Sequence, residues 1–193
     1  MISNSEAHYL FGLPMQGTFK PETCKILFGM GCFWGVERMF WKVDGVVMTA
    51  VGYSAGITEN PTYETVCGGK SGHNEVVMVH YNPENISFTQ LLKIFWEGHN
   101  PTQGMRQGND IGTQYRSGIY TFSEEQARLA NLSRLTVNKV LKDSGFGETT
   151  TEIFSARKFY YAEKYHQQYL AKNTQGYCGL GGLGISHNFN NLA

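Results

Sequence analysis

The sequence predicts an α/β or α+β sandwich, a single β-sheet with helices packed on it. Short apolar runs of strand character alternate along the chain with segments whose apolar residues recur at helical spacing. Neither an internal repeat nor an interdomain linker interrupts that alternation. A chain of 193 residues is long enough for one domain with a full hydrophobic core.

The elements follow in order. Residues 1–24 are polar and lack periodicity, which suits an arm wrapped on a core or a loose end. Lys25-Ile26-Leu27-Phe28 reads as the first strand. Val36, Met39, Phe40 and Val43 sit at helical spacing, so a helix follows and stops near Asp44-Gly45. Val46–Tyr53 is an apolar run expected as a buried strand. Ser54–Asn74 is rich in glycine and is expected as a long loop, functional or mobile. Glu75–Tyr81 is the next strand, with Glu75 at its first position on the face of Val77, Val79 and Tyr81. Ser87 and Gln90 form a capping-box pattern that opens a helix through Leu91, Ile94 and Phe95, ended by His99-Asn100-Pro101. Thr102–Arg116 is a second polar loop, and Gly118–Phe122 a strand. Ser123 and Gln126 repeat the capping-box pattern for a helix to about Lys142, with Gly145 as its stop. Thr149–Phe154 is expected as the last strand and Phe159–Lys172 as the last helix. The glycine-rich tail from Gly176 to Gly184 is unsuited to regular structure. One domain, 1–193, is therefore expected: an arm over 1–24, a core over 25–172 and a flexible tail over 173–193.

The stretch Gly29-Met30-Gly31-Cys32-Phe33-Trp34-Gly35 places a cysteine at a strand-to-helix turn. Free amides at a helix N-terminus favour a thiolate there, and the two aromatic rings that follow offer an apolar wall. A small buried hydrophobe is the other ordinary fate of such a residue. Local sequence leaves both readings open.

Composition removes several classes. Sixteen basic and sixteen acidic residues cancel, leaving no basic excess to hold nucleic acid or an anionic membrane. No apolar run approaches the roughly 20 residues of a membrane span. Cys24, Cys32, Cys67 and Cys178 are scattered without a C-x-x-C pair, which excludes a zinc ribbon and a thioredoxin-type dithiol. Gly69-Lys70-Ser71 imitates the end of a phosphate-binding loop, but Glu64 stands where its first glycine belongs. Gly179, Gly181 and Gly184 fit G-x-G-x-x-G, with too little chain after them for the helix that would hold a pyrophosphate.

Other groups could carry chemistry. Tyr63 and Tyr115 are phenols able to donate to an oxygen, and Glu75 and Asp110, if desolvated, would keep a proton and act as acids. With 11 tyrosines in the chain, each one is more often packing. A strand-edge Glu is usually solvated, and an Asp in an N-x-D-x-G loop usually makes a turn.

Five motifs in order then identify a family. They are Gly31-Cys32-Phe33-Trp34-Gly35, Gly72-His73-Asn74-Glu75-Val76, Asp110-x-Gly112-Thr113-Gln114-Tyr115-Arg116-Ser117, Tyr165-His166-Gln167-Gln168-Tyr169 and Gly176-Tyr177-Cys178-Gly179. Together, over roughly residues 25–180, they resemble peptide methionine sulfoxide reductase A. The resemblance implies a ferredoxin-like two-layer sandwich with coil at both ends. It also implies reduction of methionine (S)-sulfoxide, free or in proteins, with no metal or organic cofactor. Cys32 would attack the sulfoxide sulfur, with Phe33 and Trp34 receiving the methyl group and Tyr177 beside them. Glu75 would protonate the oxygen, with Tyr63, Tyr115 and Asp110 hydrogen-bonded to it. Cys32 would be left as a sulfenic acid, which Cys178 would condense to a disulfide. A tail of about six residues reaches roughly 13 Å, enough to visit the site. Thioredoxin would be the reductant, and the enzyme a cytoplasmic monomer, or mitochondrial if a targeting segment has been removed.

Many members of that family carry a further cysteine in the tail. Here 179–193 has none, and Ser186 lies about where it would be expected. Cys24 and Cys67 are read as structural, and His166 as orienting the site or packing, with packing preferred. Two other readings compete. A cysteine hydrolase would pair Cys32 with His73 or His166 and leave Cys178 irrelevant. A binding module would use the Phe33-Trp34 wall and tolerate loss of the Cys32 thiol.

Overall fold

The computed structural model describes residues 6–17, 19–189 and 192. Its strands are β1 (Cys24–Met30), β2 (Val46–Ser54), β3 (Asn74–Tyr81), β4 (Arg106–Gln107), β5 (Asp110–Ile111), β6 (Ser117–Thr121), β7 (Glu152–Ser155) and β8 (Tyr160–Tyr161). Its helices are α1 (Phe33–Phe40), α2 (Tyr63–Cys67), α3 (Phe88–Gly98), α4 (Glu124–Asp143) and α5 (Tyr169–Lys172). Six strands form one sheet in the order β7-β6-β1-β3-β2-β8, antiparallel except where β6 meets β7. β4 and β5 make a separate hairpin. This mixed sheet with packed helices is the fold class expected from the sequence.

One face of the sheet carries the main core. Ile26 and Phe28 of β1, Val77 and Val79 of β3, Phe40 of α1, Phe95 and Trp96 of α3 and Val137 of α4 pack together there. Fully burying each such side chain stabilises the fold by roughly 1.5–3 kcal/mol. Trp96 Nε1 donates to Ser133 Oγ at 2.8 Å and ties α3 to α4. The other face is covered by Phe159 and Tyr161 over Leu27, Val76 and Met78, and by Met15 of the N-terminal arm over Met48. The central strands are buried on both sides for that reason.

Local chemistry sets most boundaries where expected. Ser87 and Gln90 cap α3 reciprocally. α4 ends with Gly145 at φ +81° and a Phe146 N–H to Leu141 O bond of 2.9 Å. At the start of α4 only half the expected box forms. Ser123 accepts from the Gln126 N–H, while Gln126 Oε1 accepts from Phe122 and its Nε2 reaches Lys25 O.

Other expectations are corrected. α1 stops at Phe40, a turn before Asp44-Gly45. Both long loops contain structure: α2 in the first, and the β4–β5 hairpin with a 3-10 turn over Thr113–Tyr115 in the second. α2 is opened by Thr62 and Thr65, each accepting the other's backbone N–H. The expected helix over Phe159–Lys172 is instead β8, a turn and the short α5. Tyr160–Tyr161 is captured by the edge of β2. The Gln167 amide bonds Val51 N–H, Val51 O and Ala162 O, and Gln168 adopts φ +48° with its N–H and Nε2 on Glu37. These side chains bind the sheet and α1 in place of a helical ladder. Among the described residues no helix is long and apolar enough to cross a membrane.

Candidate active site

Cys32 immediately precedes α1. Gly31 turns the chain out of β1 at φ +101°, and a Cβ there would stand 2.7 Å from the Gln107 side chain. Gln107 accepts from Asn100 N–H at 3.0 Å and donates to Asn100 O at 2.8 Å. The β4–β5 hairpin is thereby fixed against the Cys32 turn, with Asp110 on it.

Burial pushes the Cys32 thiol up, and the charges of Glu75 and Asp110 add to this. The amides of Trp34 and Gly35 pull the other way. Burial prevails over the helix N-terminus, so of the two readings that local sequence leaves open the resting group is a thiol. A helix end in favourable geometry contributes at most about 2 kcal/mol, which desolvation of a thiolate exceeds.

Glu75 is 2% exposed, and its Oε2 accepts the Phe33 N–H at 3.1 Å. Burial raises its carboxyl to about 8, opposed by that bond and assisted by Asp110. It therefore carries a proton at pH 7. Asp110 is half-buried and raised by burial, and its Oδ2 lies 3.5 Å from the Tyr177 phenol. Burial raises the phenols of Tyr63 and Tyr115, and Glu75 and Cys32 would add to this when ionised. Tyr63 makes its side-chain hydrogen bond with Cys67.

An aromatic enclosure surrounds these groups. Phe33 lies 5.1 Å from His166 and 5.9 Å from Tyr53 between ring centres. Trp34 stacks on Tyr169 at 4.0 Å, and Tyr63 packs on His166 at 4.7 Å. Trp34 Nε1 donates to His166 Nδ1 at 3.0 Å, which leaves the His166 proton on Nε2. Burial lowers His166 to about 4, so the ring is neutral. Glu163 accepts from Tyr53 Oη and from the Tyr63 N–H, each at 2.9 Å, and fixes the wall behind.

The residues that the resemblance assigns to the site are drawn together here, whereas Cys24 on β1 and Ser186 on Glu97 lie apart from it. Cys178 reaches it from the tail, where a Cβ on Gly35 would stand 2.9 Å from its sulfur. Sequence reasoning read Cys67 as structural, left His166 between orienting the site and packing, and assigned Gln114 and Tyr169 no role. Here Cys67 bonds Tyr63 and Gln114, His166 bonds Trp34, and Tyr169 stacks on Trp34. His166 and Tyr169 were visible in the Tyr165–Tyr169 motif, whereas Cys67 carried no local signal. Cys24 is half-buried in β1, beside Tyr81.

Residues 24–190 match the family described as peptide methionine sulfoxide reductase. The chain belongs to that family. It is 59% identical over 184 residues to peptide methionine sulfoxide reductase MsrA of Saccharophagus degradans, covering 95% of this chain and 86% of that one. It is 58% identical over 180 residues to MsrA of Pseudomonas aeruginosa, covering 93% and 84%. Among solved structures, methionine sulfoxide reductase A of Corynebacterium diphtheriae superposes with a TM-score of 0.84 at 44% identity, covering 90% and 84%. Mxr1 of Saccharomyces cerevisiae in reduced form gives 0.74 at 38%, covering 83% and 92%. Mxr1 has also been solved in complex with Trx2, with a TM-score of 0.52 at 24% identity, covering 89% and 94%. As a peptide methionine sulfoxide reductase the chain is an oxidoreductase.

Proposed function

We propose that this chain reduces methionine (S)-sulfoxide, free or in proteins, to methionine, with Cys32 as nucleophile and Glu75 as acid. The observation that carries the reading is a proton-bearing carboxyl bonded to the amide that follows Cys32, beside an aromatic enclosure. Phe33 and Trp34 receive the S-methyl group by apolar contact, with Tyr177 at the rim. Glu75 protonates the sulfoxide oxygen as the Cys32 sulfur attacks the sulfoxide sulfur, and Tyr63, Tyr115 and Asp110 help to hold that oxygen. The oxygen passes to Cys32, methionine leaves, and the proton lost by the thiol restores Glu75. The step is thiol plus sulfoxide to sulfenic acid plus sulfide, with no net proton change.

Cys178 then displaces the hydroxyl of the sulfenic acid, forming the Cys32–Cys178 disulfide and water. A thioredoxin-type dithiol reduces that disulfide. The support is the structural kinship with Mxr1, a protein also solved with Trx2. All the groups named belong to one chain, so a monomer suffices, and a cytoplasmic setting keeps the thiols reduced between cycles.

Neither histidine that a hydrolase would recruit is hydrogen-bonded to Cys32. His166 Nδ1 accepts from Trp34, His73 Nε2 bonds the Thr58 carbonyl at 2.8 Å, and His166 Nε2 and His73 Nδ1 make no hydrogen bond among the described residues. A single turnover with methionine sulfoxide and no reductant tests the reading. One methionine per chain is expected, with Cys32 and Cys178 both lost to one disulfide. Absence of methionine overturns the reductase, and methionine release with Cys178 still free overturns the tail's role.

A further inference from the structure

Cys178 stands over a notch in α1. Gly35 has no side chain, and a Cβ there would lie 2.9 Å from Cys178 Sγ and 3.1 Å from Leu180 Cβ. The amide of the same glycine faces Cys32. One residue therefore borders both sulfurs.

The tail has no helix or strand to hold it in that position. Its upstream end leaves α5, with Gly176 N–H on Asn173 O at 2.9 Å. Its downstream end crosses the last turn of α3. There the backbone at Gly182 runs against the Glu97 carbonyl so closely that a Cβ could not be accommodated. Glu97 Oε1 then accepts twice from the tail, from Ser186 Oγ at 2.9 Å and from His187 N–H at 2.8 Å. His187 within this clasp and Phe189 beyond it are buried. The segment carrying Cys178 is thus a strap with two fixed ends.

We propose that Glu97 is a positioning residue for disulfide formation, clasping the tail at Ser186 and His187 so that Cys178 stays over Gly35. The inference rests on the reading of Cys178 as the resolving thiol. A strap fixed at both ends holds its cysteine at high effective concentration beside Cys32, whereas a segment held at one end spreads over a larger volume. Two bonds to a carboxylate are stronger than bonds between neutral groups, which suits a clasp made by a partly exposed residue.

The test separates the two chemical steps. Enzyme is mixed with excess methionine sulfoxide without reductant and quenched at intervals with dimedone, which traps sulfenic acid. Methionine, trapped Cys32 and the Cys32–Cys178 disulfide are then counted by mass spectrometry in the unmodified enzyme and in Glu97→Ala, Glu97→Gln and Cys178→Ser. In Glu97→Ala, disulfide formation is expected to slow on the order of tenfold relative to methionine release, with trapped Cys32 rising between the two. Glu97→Gln keeps an oxygen that accepts both bonds and is expected to recover most of the rate.

Disulfide formation in Glu97→Ala that keeps its ratio to methionine release overturns the clasp, whether both steps are normal or both slow together. So does Glu97→Gln as slow as Glu97→Ala. Cys178→Ser tests the underlying reading separately. Accumulation of trapped Cys32 in that variant supports Cys178 as resolver, and continued formation of a Cys32 disulfide overturns that reading whatever Glu97 does.

Discussion

Glu75 Oε2 accepts the backbone N–H of Phe33 at 3.1 Å, so a buried carboxyl on β3 is fixed against the first residue of α1. The bond fixes the carboxyl in place without removing its proton, because burial outweighs it and raises the group to about 8. The carboxyl is therefore both located and charged with a proton at neutral pH. That combination suits an acid that must reach an oxygen held above Cys32.

Glu75→Gln keeps the hydrogen bond to Phe33 and deletes the transferable proton. The single-turnover rate of methionine formation is expected to fall on the order of 10²- to 10⁴-fold. In the unmodified enzyme that rate should decline as pH rises through about 8, where the carboxyl ionises. The decline should be missing from the residual activity of Glu75→Gln. Stopped-flow methionine release from pH 6 to 10 checks both, and a variant with nearly full rate would remove Glu75 from the acid role.

The same carboxyl lowers stability as pH rises. Its pKa is about 8 when folded against an ordinary value of 4.5, so the folded state binds the proton more tightly. Its contribution is therefore most favourable below pH 4.5 and is lost as pH climbs to about 8. At pH 7 the difference of some 2.5 pH units corresponds to on the order of 3 kcal/mol. Glu75→Gln should accordingly melt higher than the unmodified protein at pH 8, and the two Tm values should converge near pH 4.5. Glu37, fully buried and raised to about 7, titrates in the same window but is common to both proteins and cancels in the comparison.

His166 is placed to orient Trp34, with Nδ1 accepting the indole N–H at 3.0 Å while Tyr169 stacks on the indole at 4.0 Å. In His166→Leu the indole donor loses its partner and the wall of the pocket loses one constraint. KM for methionine sulfoxide is expected to rise about tenfold, with a smaller change in kcat. Burial keeps His166 neutral above about pH 4, so its loss should leave the shape of the pH profile between 6 and 9 unchanged. His166→Gln, which retains an acceptor, should fall between the two. Steady-state kinetics on the three proteins would show a role in proton transfer instead if the pH profile changed shape.

The parts of the fold that were legible in the sequence rest on local patterning. β1, β2, β3 and β6 show as apolar runs, α3 shows as Ser87 and Gln90, and the Cys32 turn shows as glycines around a cysteine between a strand and a helix. The parts that were not legible depend on distant partners. The stretch after Phe159 has helical spacing, but the Gln167 amide is captured by Val51 and that of Gln168 by Glu37, contacts 116 and 131 residues away in sequence. α2 was hidden because Thr62 and Thr65 cap it in place of the usual Ser or Thr with Glu or Gln. The burial of Glu75 follows from β3 lying between β1 and β2 under the start of α1, which no reading of positions 72–76 reveals. The thiol state of Cys32 stayed open for the same reason, since a helix end is visible in a sequence and desolvation is not.

Gly35→Ala sets helix propensity against the position of the tail. Within α1 the change removes the conformational cost of glycine and on its own would stabilise by roughly 0.5–1 kcal/mol. Its new methyl would stand 2.9 Å from Cys178 Sγ and 3.1 Å from Leu180 Cβ, distances at which something must shift. α1 is bound into the main core through Val36 and Phe40, while the strap carrying Cys178 has no regular structure, so the strap is the part that moves. Ala keeps the backbone N–H that faces Cys32, so methionine formation should change much less than the step after it. The expected result is a Tm within a few degrees of the unmodified protein and a marked build-up of Cys32 sulfenic acid in a single turnover. If disulfide formation instead keeps pace with methionine release, the approach of Cys178 does not need the notch at Gly35, and the resolving sulfur arrives by another path.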